Sequence, residues 1–344
     1  MEQTASNLFK MNVLQAGSGD SIFITYTDTR GILRNILIDG GTGQIYQKSL
    51  KTVIEKLEQL DLIIVTHIDL DHIGGINKLL GGDYRNKVQK VYFNSAALLR
   101  KNDSTLISFG DGIKLTDYLT QNGIATHDEP LYAGLIVNEN GLSIRFLSPT
   151  LEALRCFEER WTDYEDELAL MSATTLMEHR CLLEIAQDPF VEKNPDSDIA
   201  NWSSLAFEID YNGLKVLFLG DAKDSVIVES LKADGYTDDN RYKVDYIKLS
   251  HHGSKYNTSN ELLGLIECNN FIFSANGTYN HPNIETIARI LCHPKRDNTE
   301  QINLYFNYPK DEYEFKRIRL LTDEEEARFN CKAYYQHTVF DLGE

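Results

Sequence analysis

The sequence predicts an α/β fold in which short apolar strands end in polar turns that lead into helices. Three observations carry this expectation. Leu62-Ile63-Ile64-Val65 is apolar throughout, too short for a helix, and followed by a polar turn. Ser204–Ile209 and Lys215–Leu219 are joined through Tyr211-Asn212-Gly213-Leu214, and Asn-Gly between two such runs is a strong hairpin signal. Two strand–turn–helix units then follow, at Asp245–Leu249 and Asn270–Ala275.

Taken in order, Asn12-Val13-Leu14 and Ser21-Ile22-Phe23-Ile24 are strand-like and flank the glycine turn Gln15-Ala16-Gly17-Ser18-Gly19-Asp20. Asn35-Ile36-Leu37-Ile38 is a strand ending in Asp39-Gly40-Gly41. Lys51 to Leu60 has helical spacing and leads into Leu62–Val65, after which Gly74-Gly75 reads as a turn into a helix beginning at Ile76. Lys90–Phe93 and Ser143–Leu147 are further strands. Leu151, Leu154, Phe157, Trp161, Tyr164, Leu168 and Met171 recur at three- and four-residue steps, which predicts a helical insertion within residues 150–200 with one apolar face. Such a face ordinarily packs on its own domain; a protein partner or a second copy docking on residues 151–186 is the alternative. Glu192-Lys193-Asn194-Pro195-Asp196-Ser197-Asp198 reads as a loop or disordered linker. Ile302–Tyr308, Phe315–Leu321 and Lys332–Leu342 predict a β-rich C-terminal extension over 293–344, and residues 1–344 are expected to form one domain.

Composition narrows the function. No apolar run approaches the ~18 residues that a membrane span needs, so no membrane association is expected. The five cysteines are odd in number, widely spaced and never in a Cys-x-x-Cys pair, which suits reduced packing residues in the cytoplasm. The formal charge is −18, whereas a protein with a broad nucleic-acid footprint is usually basic or carries a basic stripe. The densest basic cluster, Lys316-Arg317-Ile318-Arg319, is expected to be one solvated strand face. Any nucleic-acid contact is therefore expected to be local.

The most informative motif is His67-Ile68-Asp69-Leu70-Asp71-His72, four metal-ligating side chains at the end of a strand. Two imidazoles and two carboxylates suit divalent ions such as Zn²⁺ or Mn²⁺. Gly220-Asp221 follows the strand Val216–Leu219, where Asp221 either bridges two ions or caps a helix over Ala222–Lys232. Ser250-His251-His252-Gly253-Ser254 follows another strand. Adjacent histidines on a turn point in different directions, so one is expected to ligate and the other to contact a phosphate oxygen or protonate a leaving group. His281-Pro282 follows a further strand and precedes a helix, and proline there is expected to pre-set the helix start. His127, His179, His293 and His337 have no such placement.

Together these motifs resemble the metallo-β-lactamase fold superfamily, and within it the branch typified by the hydrolase domain of the bacterial competence DNA-uptake channel, the ComEC-like branch. The resemblance spans roughly residues 9 to 292. It rests on Gly17-Ser18-Gly19-Asp20-Ser21, Ile38-Asp39-Gly40-Gly41, His67-x-Asp69-x-Asp71-His72, Leu219-Gly220-Asp221 and Ser250-His251-His252-Gly253-Ser254 with His281-Pro282. It implies a four-layer αββα sandwich with two metal ions at one edge. It further implies His67 and Asp69 on one ion, Asp71, His72 and His281 on the other, and Asp221 bridging. Asp39 would steady the first motif and Asp20 would sit beside the site. Two departures stand out. Asp69 replaces a commoner histidine, and Ser148 stands where a further histidine is often found, so the first ion would have fewer nitrogen ligands and a weaker hold.

The resulting expectation is a metal-dependent hydrolase, specifically a phosphodiesterase or nuclease. Asp71, with His251 or His252, would serve its catalysis. Hydrolysis of a small phosphodiester, nucleotide messenger or ester is the alternative. A third reading is a weakly active module in a multiprotein complex.

Overall fold

A computed structural model describes residues 7–95, 110–160, 180–194 and 198–343. Two sheets lie face to face. The first contains β1 (Phe9–Val13), β2 (Ile22–Thr27), β3 (Leu33–Ile38), β4 (Leu62–Ile64), β5 (Lys90–Tyr92) and β6 (Ala125–Thr126). The second contains β7 (Ile136–Glu139), β8 (Leu142–Ser148), β9 (Ala206–Tyr211) and β10 (Leu214–Phe218). A short side pair is made by β11 (Tyr242–Lys243) and β13 (Ile266–Glu267), on either side of β12 (Tyr246–Lys248) in the chain. β12, β14 (Asn270–Phe273), β15 (Ile302–Phe306) and β16 (Cys331–Tyr334) complete the second sheet, and β17 (Val339–Asp341) returns to the first.

The strand orders are β17-β1-β2-β3-β4-β5-β6 and β16-β15-β14-β12-β10-β9-β8-β7. Each sheet changes character part-way. β17 to β3 pair antiparallel and β3 to β6 parallel; β7 to β10 pair antiparallel and β10 to β16 parallel. The antiparallel halves are joined by tight turns, as at Asn212-Gly213, where φ is +54° and +91° and Tyr211 pairs with Leu214. Parallel strands need crossovers, which lay helices on the outer faces.

Strict alternation along the strands builds the layers. On β4, Leu62 and Ile64 point between the sheets, while Ile63 and the following Val65 point to the helix side. On β10, Val216 and Phe218 face inward and Leu217 faces the outer helices with Leu219. An inner core including Phe9, Ile24, Phe146, Phe207 and Phe218 is thus sandwiched between two helix-side cores, and the αββα arrangement follows. Each such buried side chain contributes roughly 1.5–3 kcal/mol relative to exposure.

Several local expectations change. Gly74-Gly75 is not a turn: it lies inside the helix Leu70–Leu80. A Cβ on Gly75 would stand 1.9 Å from the Gly40 carbonyl oxygen, so glycine is there to let the helix touch the Asp39-Gly40-Gly41 loop. Phe315–Leu321 is not a strand. The helix Lys310–Phe315 ends there, Arg317 takes φ +58°, and Ile318 and Leu321 drop into the outer core beside β14–β16. Lys316-Arg317-Ile318-Arg319 is accordingly no strand face. Pro282 stands before Asn283, the N-cap of the helix Ile284–Cys292, rather than at its first turn. Lys332–Leu342 divides into β16 and β17, one in each sheet. Within the insertion, Leu151–Arg160, Leu182–Ile185 and Ile199–Trp202 are helical; Leu154 and Phe157 are buried and Leu151 is exposed. Trp161, Tyr164, Leu168, Met171 and His179 lie outside the described residues. Among those described, no helix is long and apolar enough to cross a membrane.

One buried carboxyl gives a stability test. Asp224 begins the helix Asp224–Ala233 and accepts the Ser259 N–H at 2.7 Å; burial pushes its pKa from 3.8 up to about 6. A carboxyl whose folded pKa is raised favours the fold while protonated, and that contribution is lost as pH climbs from about 4 through 6. Asp224→Asn keeps the acceptor and loses the charge. Urea unfolding should find it more stable than the parent at pH 7.5 by about 1–3 kcal/mol, with the difference fading toward pH 4.

Candidate metal centre

The site forms where the carboxyl ends of the parallel strands from both sheets meet, the usual position for ligands in open α/β sheets. Thr66 and His67 follow β4, Asp39 follows β3, Asp221 follows β10, and His251 and His252 follow β12. Asp69 is the N-cap of the helix Leu70–Leu80, which places Asp71 and His72 in its first turn. The two sheets are tied beside the site by the Leu205 N–H donating to the Thr66 carbonyl at 2.9 Å, and within the second sheet the His251 N–H donates to the Gly220 carbonyl at 2.9 Å.

Four groups converge most tightly. One ligand atom from each of Asp20, His72, Asp221 and His252 lies within 4.8 Å of the others, and all four residues are buried. His72 Nε2 stands 3.5 Å from Asp221 Oδ1, and His252 Nε2 is 3.7 Å from both Asp221 Oδ2 and Asp71 Oδ2. A second set adjoins it: His67 Nε2 is 3.5 Å from Asp69 Oδ2 and 3.9 Å from Asp221 Oδ2. Asp221 therefore faces both sets with one carboxylate.

The imidazoles are oriented from behind. His72 Nδ1–H donates to Asp39 Oδ2 at 2.8 Å, and His252 Nδ1–H donates to the Ser274 carbonyl at 2.9 Å. Thr66 Oγ1–H donates to Asp39 Oδ2 at 2.7 Å, which leaves Thr66 Oγ1 to accept from His67 Nδ1–H at 3.0 Å. Each ring thereby turns its Nε2 lone pair into the site, and all three Nε2 atoms, with Asp20 Oδ1 and Asp221 Oδ1, are buried without a hydrogen-bond partner. Nitrogen and oxygen lone pairs that converge in this way fit a divalent cation, and the bonds behind them fix the tautomer a metal ligand needs.

The electrostatics agree. Burial raises the Asp221 pKa, but the imidazoles of His251, His72 and His252 outweigh it and hold the carboxyl well below the usual range. Burial also opposes ionisation of Asp20, yet the Lys248 ammonium beside it, buried like the carboxylate, keeps it ionised. For His72, burial favours the neutral ring, but the Asp221 and Asp39 carboxylates outweigh it and draw the ring toward its charged form, so a cation binding at Nε2 would displace a proton there. The Asp20 and Asp221 carboxylates are thus already in their metal-binding form.

Backbone geometry supports the site at some expense. Asp39, His251 and His252 sit at φ +54°, +47° and +57°, the left-handed region that costs a non-glycine residue about 1–3 kcal/mol. The Gly17–Asp20 turn reaches the site because Gly19 has no side chain: a Cβ there would stand 1.6 Å from the Asp71 carbonyl oxygen.

The sequence-predicted residues are placed as follows. His67, Asp69, Asp71, His72 and Asp221 come together. Asp20 joins the tight group instead of standing beside it. The imidazole that meets His72 and Asp221 is His252; His281 is outside that group, its ring 5.4 Å from His251 and 6.3 Å from His252. His251 turns toward Asp221 at 3.7 Å and is partly exposed. Asp221 caps no helix, since Lys223 occupies the N-cap position. Ser148 donates to the Ser204 carbonyl at 2.8 Å and is spent there. Lys248 and Asn201 were not singled out by sequence. A lysine between apolar residues in a buried strand is the signal that could have found the first.

The family comparison now has its geometry. The Metallo-beta-lactamase superfamily model matches residues 16–81, the segment that carries Asp20, Asp39 and His67 to His72. That match, taken with the αββα sandwich, supports assignment to the metallo-β-lactamase superfamily. Members of that superfamily are generally metal-dependent hydrolases. ComE operon protein 3 of Bacillus subtilis (strain 168) is 23% identical to this metallo-β-lactamase-fold chain over 306 residues, covering 83% of this chain and 31% of that protein, so the chain spans under a third of that relative. Three solved structures are similar to it. CmlA, a diiron β-hydroxylase from Streptomyces venezuelae, has a TM-score of 0.46 at 13% identity over 97% of this chain and 54% of that one. Zn(2+)-bound PqqB from Methylobacterium extorquens has 0.45 at 11% over 97% and 100%. YhfI from Bacillus subtilis has 0.41 at 11% over 98% and 100%.

Asp39 is fully buried against the His72 ring and Thr66, so Asp39→Ala should leave a folded protein whose divalent-ion affinity falls about 10–100-fold. Metal titration followed by elemental analysis, with circular dichroism as the folding control, reads this directly. Gly19→Ala should likewise lower metal content, because the Asp71 backbone has to move.

Proposed function

We propose that this protein is a metal-dependent phosphodiesterase that holds two divalent ions across Asp221. The observation that supports it is the position of that carboxylate, within 3.9 Å of both His67 Nε2 and His72 Nε2. In this reading His67, Asp69 and Asp221 hold one ion, and Asp71, His72, His252, Asp20 and Asp221 hold the other. Ions at such a pair of positions supply an activated water at neutral pH and neutralise charge on the attacked phosphoryl oxygens.

The chain's own residues divide the remaining work. Asp39 and Thr66 lock the ligand rings, and Lys248 keeps Asp20 ionised. His251 stands at the open side, free to donate to a phosphoryl or leaving oxygen. The first position offers one nitrogen and two carboxylates, a donor set that favours Mn²⁺ over Zn²⁺, while the second has two nitrogens.

Two substrate classes are compatible with this chemistry, DNA or RNA on one side and a small phosphodiester on the other. The net charge of −18 favours the smaller substrate unless local contacts compensate. Affinity that falls steeply with salt identifies polymeric nucleic acid, and a shallow dependence identifies the small molecule.

The test of the chemistry is a double variant. Asp71→Asn with Asp221→Asn should cut Mn²⁺-stimulated cleavage of single- or double-stranded DNA and of bis(p-nitrophenyl) phosphate by about 10³-fold or more. Cleavage that survives undiminished overturns the assignment.

A further inference from the structure

The C-terminal extension does more than widen the second sheet. β15 lies beside β14 with Phe306 opposite Phe273, so the residues that follow the two strands, Asn307 and Ser274, emerge together at the metal edge. β15 stands beyond the family-matched residues 16–81 and C-terminal to every ligand of the candidate centre.

Asn307 is fully buried and uses its whole amide. Its Nδ2 donates to the Leu14 carbonyl at 3.0 Å and to Ser274 Oγ at 3.4 Å, and its Oδ1 accepts the Ala275 N–H at 3.1 Å. The backbone joins in: the Asn307 N–H donates to the Phe273 carbonyl at 3.3 Å, and its carbonyl accepts Gln15 Nε2–H at 2.9 Å. Tyr308 accepts the Gly17 N–H on its hydroxyl at 2.7 Å. One strand end therefore holds the glycine turn at Leu14, Gln15 and Gly17, and the end of β14 at Phe273, Ser274 and Ala275.

Both of the segments so held deliver members of the tight group. The glycine turn ends in Asp20, and Ser274 Oγ extends the link by donating to the Gly19 carbonyl at 3.4 Å. The Ser274 carbonyl accepts His252 Nδ1–H at 2.9 Å and so aims Nε2. A carboxamide donates twice and accepts on the same planar group, which is what these three partners require. An aspartate would set an oxygen against the Leu14 carbonyl, and a smaller residue would leave the turn and the strand end unconnected. A buried network that is satisfied in this way rigidifies the groups it joins.

We propose that Asn307, supplied by the C-terminal extension, is a positioning residue of the metal centre: it locks the glycine turn to the end of β14 and thereby sets the placement of Asp20 and His252 around the more tightly held ion. This rests on the two-ion arrangement of the proposed function and is independent of the substrate. The extension is then a working part of the site, although it contributes no ligand.

The experiment titrates Mn²⁺ into chelator-treated protein by calorimetry, for the parent, Asn307→Ala, Ser274→Ala and Leu304→Ala. Leu304 packs in the outer core on the same strand, and its truncation controls for lost stability alone. Asn307→Ala should weaken the tighter binding step about tenfold and leave the weaker step, at His67, Asp69 and Asp221, unchanged. Ser274→Ala keeps the carbonyl that orients His252 and should weaken the same step by less. Electron spin-echo modulation of sub-stoichiometric Mn²⁺ should show less coupling to imidazole nitrogen in Asn307→Ala than in the parent, because the His252 ring loses its aim. Leu304→Ala should match the parent in both readouts although it unfolds at lower urea. If Asn307→Ala does not fold, Ser274→Ala decides. An unaltered tighter step, or an equal weakening in Leu304→Ala, overturns the inference. A parent that takes up a single ion refutes the two-ion arrangement, and the affinity for that ion then decides the role of Asn307 by the same comparison. A parent that takes up none overturns both.

Discussion

Three imidazole Nε2 atoms and two carboxylate oxygens are buried at one point with their lone pairs turned toward one another, and much of the fold can be understood from that constraint. A buried polar atom left unsatisfied costs about 1–3 kcal/mol, and five in one place is more than a marginally stable domain carries without return. A divalent cation held there would remove the penalty and turn mutual repulsion among Asp20, Asp71 and Asp221 into attraction. The bonds behind the ligands make sense only in this light. Asp39 and Ser274 each accept an Nδ1–H from a ring whose Nε2 is aimed inward.

Holding five donors from distant segments demands rigidity, and the sandwich supplies it. Asp221, His251 and His252 follow parallel strands of one sheet, and Asp39 and His67 follow those of the other. Where the chain has to leave regular structure, close contact replaces hydrogen-bonded ladders: Gly19 lies on Asp71, and Gly75 lies on Gly40. The left-handed backbones of Asp39, His251 and His252 are held by hydrogen bonds to neighbouring strand ends: the Asp39 N–H donates to Ile64, the His251 N–H to Gly220, and His252 Nδ1–H to Ser274.

How much of this was legible in sequence depends on distance along the chain. His67 to His72 could be read because their convergence is local, set by one strand end and one helix start. Asp221 could be read because a carboxylate directly after an apolar strand has few places to go. The choice of His252 over His281 could not. It turns on which ring of an adjacent pair finds the Ser274 carbonyl, a contact fixed by the neighbouring strand. Asp20 was legible as a neighbour but not as a member, since its approach depends on the missing side chain of Gly19. Gly74-Gly75 carried the composition of a turn for a tertiary reason, and Phe315–Leu321 carried strand-like composition while serving as the descent from a helix into the outer core. In both cases packing decided what local propensity left open.

The charge pattern gives the last step. An overall charge of −18 repels a polyanion at long range, but the Debye length at physiological salt is only about 8 Å, so within the site local charges decide. Lys223 and Lys248 are buried and matched by Asp198 and Asp20, and they act as fixings for the insertion and the ligand. In the proposed reading, two divalent ions would carry four positive charges against the three carboxylates Asp69, Asp71 and Asp221, with Asp20 balanced by Lys248. The excess is small and confined to the metal edge. Under the proposed function, a site so arranged would gain selectivity from its surroundings: the acidic exterior would discourage unspecific adhesion, and only a substrate presenting its anionic group at that edge would recover the attraction.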